Sequence, residues 1–282
     1  MCNHDEKIEF LYTFRLILSS LSAISCILIL IFIYKYRKYN GPSTKLLMNM
    51  SVIDMIRGIS FFLLFILKPC PNFCNIYSIL IHSTFTSNSI WSLYIVTVLY
   101  KIYTKFPEKP KSPLLIWNIF AYIISPVFQI LPIFTDSYGY IDGFCGYKND
   151  FYGYMWRSIQ IGMVFFIICI EIYLYSWIFI RFRRYKLFTF KELVFEKGMI
   201  YSIIYFFIII ATLAYRYFDL ILGFCDAFWL AIISFGLLGL HGFFNFLALI
   251  CNKNFRMLLR QRSSDNKIRV DSDSFLRGLI EG

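Results

Sequence analysis

Long apolar runs alternate with short polar connections along nearly the whole 282-residue chain. The runs cover residues 16–34, 46–67, 76–100, 114–134, 156–180, 198–217 and 227–251. Each is close to the ~20 residues an α-helix needs to cross a bilayer core. The pattern predicts an all-α membrane protein, a seven-transmembrane helix bundle over 16–251 behind a short extracellular N-terminus, 1–15. Pro126 and Pro132 fall inside the fourth run, where neighbouring helices can satisfy the freed backbone groups. After the last run, Phe255, Leu258 and Leu259 make an apolar stripe while Arg256 and Arg260 face elsewhere. That spacing predicts a short amphipathic helix after helix seven, over 252–262, lying on the inner leaflet. Residues 263–282 are polar and read as a disordered cytoplasmic tail.

Composition agrees. The chain is 59% apolar and 16% charged, whereas soluble domains average about 45–50% and about 25%. The net charge of +11 would suggest nucleic acid in a soluble protein. Here 21 of the 28 Lys and Arg sit in the connections after the first, third and fifth runs and in the tail. That clustering is a topology signal. It excludes nucleic acid as the partner and puts the N-terminus outside and the C-terminus in the cytoplasm, as in a multi-pass plasma-membrane protein. The same charges attract anionic inner-leaflet lipids, at about 1 kcal/mol each. No basic segment precedes the first run, which is expected to act as its own insertion signal.

Five cysteines (Cys2, Cys70, Cys74, Cys145 and Cys225) fall on the predicted outer side, where disulfides persist. A Cys74–Cys145 bond would tie the loop after the fourth run to the start of the third helix. Cys70 is near enough to compete for Cys145, or to pair with Cys2 or Cys225.

Polar groups inside the runs carry the functional information. A carboxylate in the bilayer is costly and faces the bundle interior. Asp54, Asn88 and Asn245 are therefore expected to form a polar hub joining helices two, three and seven and rearranging on activation, with Ser87 a further candidate. A static hydrogen-bonded glue between helices is the plainer alternative. Replacing Asp54 by Asn is expected to alter a response while leaving surface expression largely intact. Arg57 and Glu171 are further intramembrane charges, and neither has an evident partner in the sequence. His82, Trp156, Arg157, Gln160, Tyr215 and Arg216 lie in outer halves and are candidates to line a ligand pocket. Gln129, Asp219 and Trp229 lie at similar depth.

No HExxH, GxSxG or GxGxxG motif is present. His4, His82 and His241 are far apart in the chain and are expected not to cluster with acids. An enzyme, a cofactor and a metal site are not expected.

The order of several short motifs resembles the cyclic-AMP-receptor-like (class E) G-protein-coupled receptors. Leu46 to Asp54 is similar to that family's helix-two segment, and Cys74 is followed by Trp91. Leu131-Pro132-Ile133 leads through Tyr138-Gly139 and Gly143 to Cys145. Trp156-Arg157 opens the fifth helix, and Leu240-His241-Gly242-Phe243-Phe244-Asn245 is similar to the family's helix-seven Gly-Phe-x-Asn. The resemblance implies a receptor that passes an extracellular, small-molecule signal to a heterotrimeric G protein. Lys101, Lys105, Arg181, Arg183, Arg184, Lys191 and Lys197 would then face that partner. The rival expectation is a small transporter or channel with Asp54, Arg57 and Glu171 along its path, although no internal repeat favours it.

Overall fold

The computed structural model describes residues 4–35, 42–67, 71–104, 114–141, 144–185 and 199–251. The predicted amphipathic helix over 252–262 and the tail over 263–282 lie outside the described residues. The helices are α1 His4–Lys35, α2 Pro42–Leu67, α3 Pro71–Thr104, α4 Leu114–Ile119, α5 Ser125–Ile130, α6 Phe151–Tyr185, α7 Met199–Leu222, α8 Phe224–Gly239 and α9 His241–Cys251. A π turn, Phe120–Ile124, joins α4 to α5, and a 3-10 turn, Leu131–Thr135, follows α5. The cause is in the sequence. Pro126 lacks an N–H and its ring crowds the carbonyl one turn back, so the preceding turn widens. Hydrogen bonds to α3 stitch the widened rod in place: Ser87 Oγ of α3 donates to the Ala121 carbonyl (2.5 Å), and Ser125 Oγ of α5 donates to the Ser83 carbonyl of α3 (3.0 Å).

Five rods are individually long and apolar enough to cross a membrane: α1, α2, the α4–α5 rod, α6 and α7. The pair α8 and α9 qualifies together across a 50° bend. The outward faces are apolar, as at Ile17, Ile24 and Ile31 of α1 and Phe165, Phe166 and Tyr173 of α6. Inside lie Ser22, Ser25, Ser51, Asp54, Asn88 and Asn245. Water penalises that distribution and lipid favours it.

The third predicted span behaves differently. α3 is 34 residues long, yet it is not among the helices apolar enough to cross on that criterion. Ser78, Ser83, Thr84, Thr86, Ser87, Asn88, Ser89 and Ser92 are all buried along it. It packs against α2, α5, the π turn, α6, α7 and both strands of the hairpin described below. A helix enclosed by its neighbours has no need of a lipid-compatible surface, and its hydroxyls bond to the backbone and to adjacent helices instead.

α1 starts well before its apolar run, because the added turns find a partner. Leu11 is fully buried with Tyr215, Ala227, Phe228, Ala231 and Phe235, and Lys7 lies 4.8 Å from the Phe228 ring centre. Further along, small residues set the spacing between helices. Gly242 N–H donates to Ser22 Oγ (2.9 Å), and a Cβ at position 242 would overlap both Ser22 and Cys26. A Cβ at Gly239, beside the bend, would stand 3.1 Å from Leu18 Cβ of α1, a tight but lesser contact. Glycines at such a junction let the chain kink between α8 and α9. Gly242→Ala is expected to cost about 1–3 kcal/mol through overpacking and so lower the unfolding midpoint in detergent. An unchanged midpoint would show that α1 and α9 do not pack this closely.

Between the 3-10 turn and α6 lies a hairpin, β1 Tyr138–Ile141 and β2 Phe144–Tyr147. Tyr138 pairs with Tyr147 and Tyr140 with Cys145. The Cys74–Cys145 disulfide, with Cα atoms 5.1 Å apart, fastens the hairpin to the start of α3. Cys225 is also disulfide-bonded.

Candidate functional site

Two polar regions occupy the interior. The deeper one is centred on Asp54, which is 1% exposed. Four side chains donate to its carboxylate. Arg57 Nη2 reaches Oδ1 at 2.5 Å and Asn88 Nδ2 reaches it at 2.8 Å. His241 Nδ1 lies 2.9 Å from Oδ1 and 2.8 Å from Oδ2. Asn245 Nδ2 reaches Oδ2 at 3.2 Å. Helical spacing explains the convergence. Asp54 and Arg57 are three apart on α2, and His241 and Asn245 are four apart on α9, so each pair shares a face. The bend before His241 aims that face at α2.

The structure thus brings the predicted trio Asp54, Asn88 and Asn245 together and adds two members. Arg57, an intramembrane charge whose partner the sequence does not reveal, is paired with Asp54. His241, expected to stand apart from acids, touches both carboxylate oxygens. The available signal was its four-residue spacing from Asn245. Ser87 is not part of the cluster, because its face of α3 turns to the π turn. The cluster also reaches α7: the Tyr205 ring lies 5.2 Å from His241, and its hydroxyl donates to the Phe85 carbonyl at 2.7 Å. Among the described residues, Arg57 Nη1, Asn88 Oδ1, Asn245 Oδ1 and His241 Nε2 have no hydrogen-bond partner.

The other region is a cavity of about 300 Å³ bordered by α1, α3, α6, α7, α8 and the hairpin. Of the predicted pocket residues, His82, Arg157, Gln160, Tyr215 and Arg216 line it, as does Asp219. Trp156 does not. Successive helical residues point about 100° apart, so with Arg157 and Gln160 facing inward, Trp156 turns to the flank. There its Nε1–H donates to Thr135 Oγ1 (2.9 Å) and its ring meets Phe128 edge-on. Trp229 is 73% exposed and faces outward. Gln129 supports the hairpin: it accepts from Tyr147 Oη on its side chain (2.8 Å) and from Tyr138 Oη on its carbonyl (2.9 Å). Burial pushes the Tyr147 hydroxyl up to about 12 and raises that of Tyr138, so both stay neutral donors at physiological pH. The Tyr147 ring covers His82 at 4.4 Å, and Arg157 Nη2 donates to the Tyr147 carbonyl at 2.9 Å. The wall was therefore only half legible, since Tyr147 and Arg15 joined it through tertiary packing.

The remaining candidates are scattered. Glu171 is fully buried on α6 beside Ser92, and Ser92 Oγ lies 2.7 Å from Ser202 Oγ. Lys101 stands in the last turn of α3. The Arg181 guanidinium sits 4.8 Å from the Trp177 ring centre. Arg183 and Arg184 belong to the end of α6, with side chains outside the described set. Lys105, Lys191 and Lys197 lie outside the described residues. Among the described residues no group of His, Cys, Asp and Glu is arranged to hold a metal ion. Comparison of the sequence with protein-family models and with curated proteins finds no match.

Proposed function

We propose that the chain is a seven-span receptor of the cyclic-AMP-receptor-like, G-protein-coupled kind. Its N-terminus is outside the plasma membrane and its C-terminus is in the cytoplasm. It binds a small extracellular molecule in the cavity and signals to a heterotrimeric G protein. One observation carries this reading: a cavity capped by a disulfide-fastened hairpin shares α3 and α7 with a buried polar hub that also holds α2 and α9. A ligand favouring one packing of those helices shifts the hub, and it does so only through unequal affinity for the two states. The basic ends of α3 and α6 then face the G protein and the anionic inner leaflet. The transporter alternative draws less support, because Asp54 and Arg57 neutralise each other at 2.5 Å.

The test is nucleotide exchange on a co-expressed heterotrimeric G protein in membranes, screened with small metabolites. The expected result is ligand-dependent exchange that Asp54→Asn abolishes or makes constitutive. Exchange that never exceeds that of membranes lacking the receptor, across ligands shown to bind the cavity, would contradict it.

A further inference from the structure

We infer that Glu171, with the hydroxyls of Ser92, Tyr175 and Ser202, binds one monovalent cation, a proton or a sodium-sized ion, and so fastens α3, α6 and α7 together. The inference needs the bundle to sit in lipid and is independent of the receptor reading. Its first ground is an unbalanced charge. Glu171 is fully buried within α6. Among the described residues neither of its carboxylate oxygens has a hydrogen-bond partner. The ion pairs formed among those residues join Arg57 and His241 to Asp54, and Lys148 to Asp136. None of them reaches Glu171. An ionised carboxylate left alone in a bilayer interior is costly, and a bound positive charge removes the cost.

The second ground is what surrounds the carboxylate. Ser92 of α3 stands beside it, and Ser202 of α7 is bonded to Ser92. Both serines are fully buried. Tyr175, one turn along α6, brings its hydroxyl beside Ser202 and within electrostatic reach of Glu171. That hydroxyl also has no hydrogen-bond partner among the described residues. Three helices thus converge oxygens on one carboxylate, and oxygen is the ligand type hard cations take. A single carboxylate balances a single charge. Among the described residues no group of three or more His, Cys, Asp and Glu is placed to hold an ion of higher charge. The third ground is the link to the rest of the bundle. Ile168, one turn before Glu171, packs with Tyr205 and Ile209 of α7. The Tyr205 hydroxyl lies 3.0 Å from Ser89 Oγ of α3. Tyr205 is within electrostatic reach of Glu171 and also of Asp54 and Arg57 on α2. The titratable and charged groups around the site are therefore Tyr175 from α6, Tyr205 from α7 and, across Tyr205, the Asp54–Arg57 pair. A charge gained or lost at Glu171 acts on the packing of α3 and α7 and, through Tyr205, on the hub.

The experiment uses the full chain in neutral-lipid nanodiscs, with thermal unfolding as the readout. One series exchanges sodium for choline at constant ionic strength and fixed, mildly alkaline pH. A second lowers the pH in choline. A cation that binds the folded bundle raises the midpoint with the logarithm of its concentration. The wild-type midpoint is expected to rise in at least one series. A rise with sodium identifies the ion, and a rise on acidification alone identifies the proton. Glu171→Gln keeps the side chain's shape without its charge. It is expected to fold, to lose the part of the response that Glu171 supplies, and to match or exceed the wild-type midpoint in alkaline choline. Ser92→Ala is expected to weaken a sodium response about tenfold and to spare a proton response, since a proton needs only the carboxyl. In the proton case the infrared carbonyl band of a protonated carboxyl should be present in the wild type and diminished in Glu171→Gln. The inference is overturned if neither series moves the wild-type midpoint, or if Glu171→Gln responds as the wild type does. It is equally overturned if Glu171→Gln fails to fold where the wild type is folded in alkaline choline, because a fixed positive group of the protein would then be holding the carboxylate. A cation response with a silent G protein would sink the receptor reading alone.

Discussion

Removing the Asp54 charge is expected to destabilise the bundle severely, and removing Arg57 with it is expected to restore much of the loss. Asp54 and Arg57 are both almost wholly buried and 2.5 Å apart. Breaking such a pair from one side leaves an uncompensated charge in a medium that cannot solvate it, at a cost of about 3–5 kcal/mol. Asp54→Asn should therefore lower the unfolding midpoint and the amount of protein at the cell surface. From the sequence alone the same change is expected to spare expression; the Arg57 pairing reverses that. In Asp54→Asn/Arg57→Met no orphan charge remains, and stability should recover while any signalling response stays altered. Thermal unfolding of the four members of this double-mutant cycle in detergent gives the coupling. Additive effects would mean that the two side chains do not share a bond.

The second large effect concerns the hairpin. Cys74 and Cys145 are separated by 71 residues. Closing a loop of that length restricts the unfolded chain by about 4 kcal/mol on the chain-entropy model. Cys74→Ser and Cys145→Ser should each lose this amount, and the double variant should lose no more than either alone. The loss should also loosen the lid of the cavity, since Tyr147 and its contact to His82 ride on β2. Unequal single-variant midpoints would assign one of the two cysteines a different partner.

Most of the rods are legible in the sequence because lipid demands long apolar surfaces, and α1, α2, α6 and α7 present them outward. The Asp54, Asn88 and Asn245 cluster is legible for the complementary reason: charged and amide groups cannot face lipid, so they must meet inside. What periodicity cannot supply is rotation and bending. Trp156 and Arg157 are neighbours in sequence, and only the packing of α6 decides which of them sees the cavity. His241 reaches Asp54 because the chain bends between α8 and α9, a bend set by the fit of Gly239 and Gly242 against α1. Arg15 sits close before the first apolar run, yet it is buried between Phe61 and Phe235, contacts that bring together three distant parts of the chain. α3 shows the limit most clearly. Its polar face weakens the membrane signal because the other helices surround it, and that enclosure exists only in three dimensions.

Everything said of the cavity facing outward and the basic helix ends facing inward depends on α3 crossing the membrane with the others. An odd number of crossings puts the two chain ends on opposite faces; six crossings put them on the same face. Epitope tags at both ends, stained in intact and then permeabilised cells, decide this. The N-terminal tag should be accessible in intact cells and the C-terminal tag only after permeabilisation. Equal accessibility of both tags before permeabilisation, or of neither, would contradict the topology and the receptor function built on it.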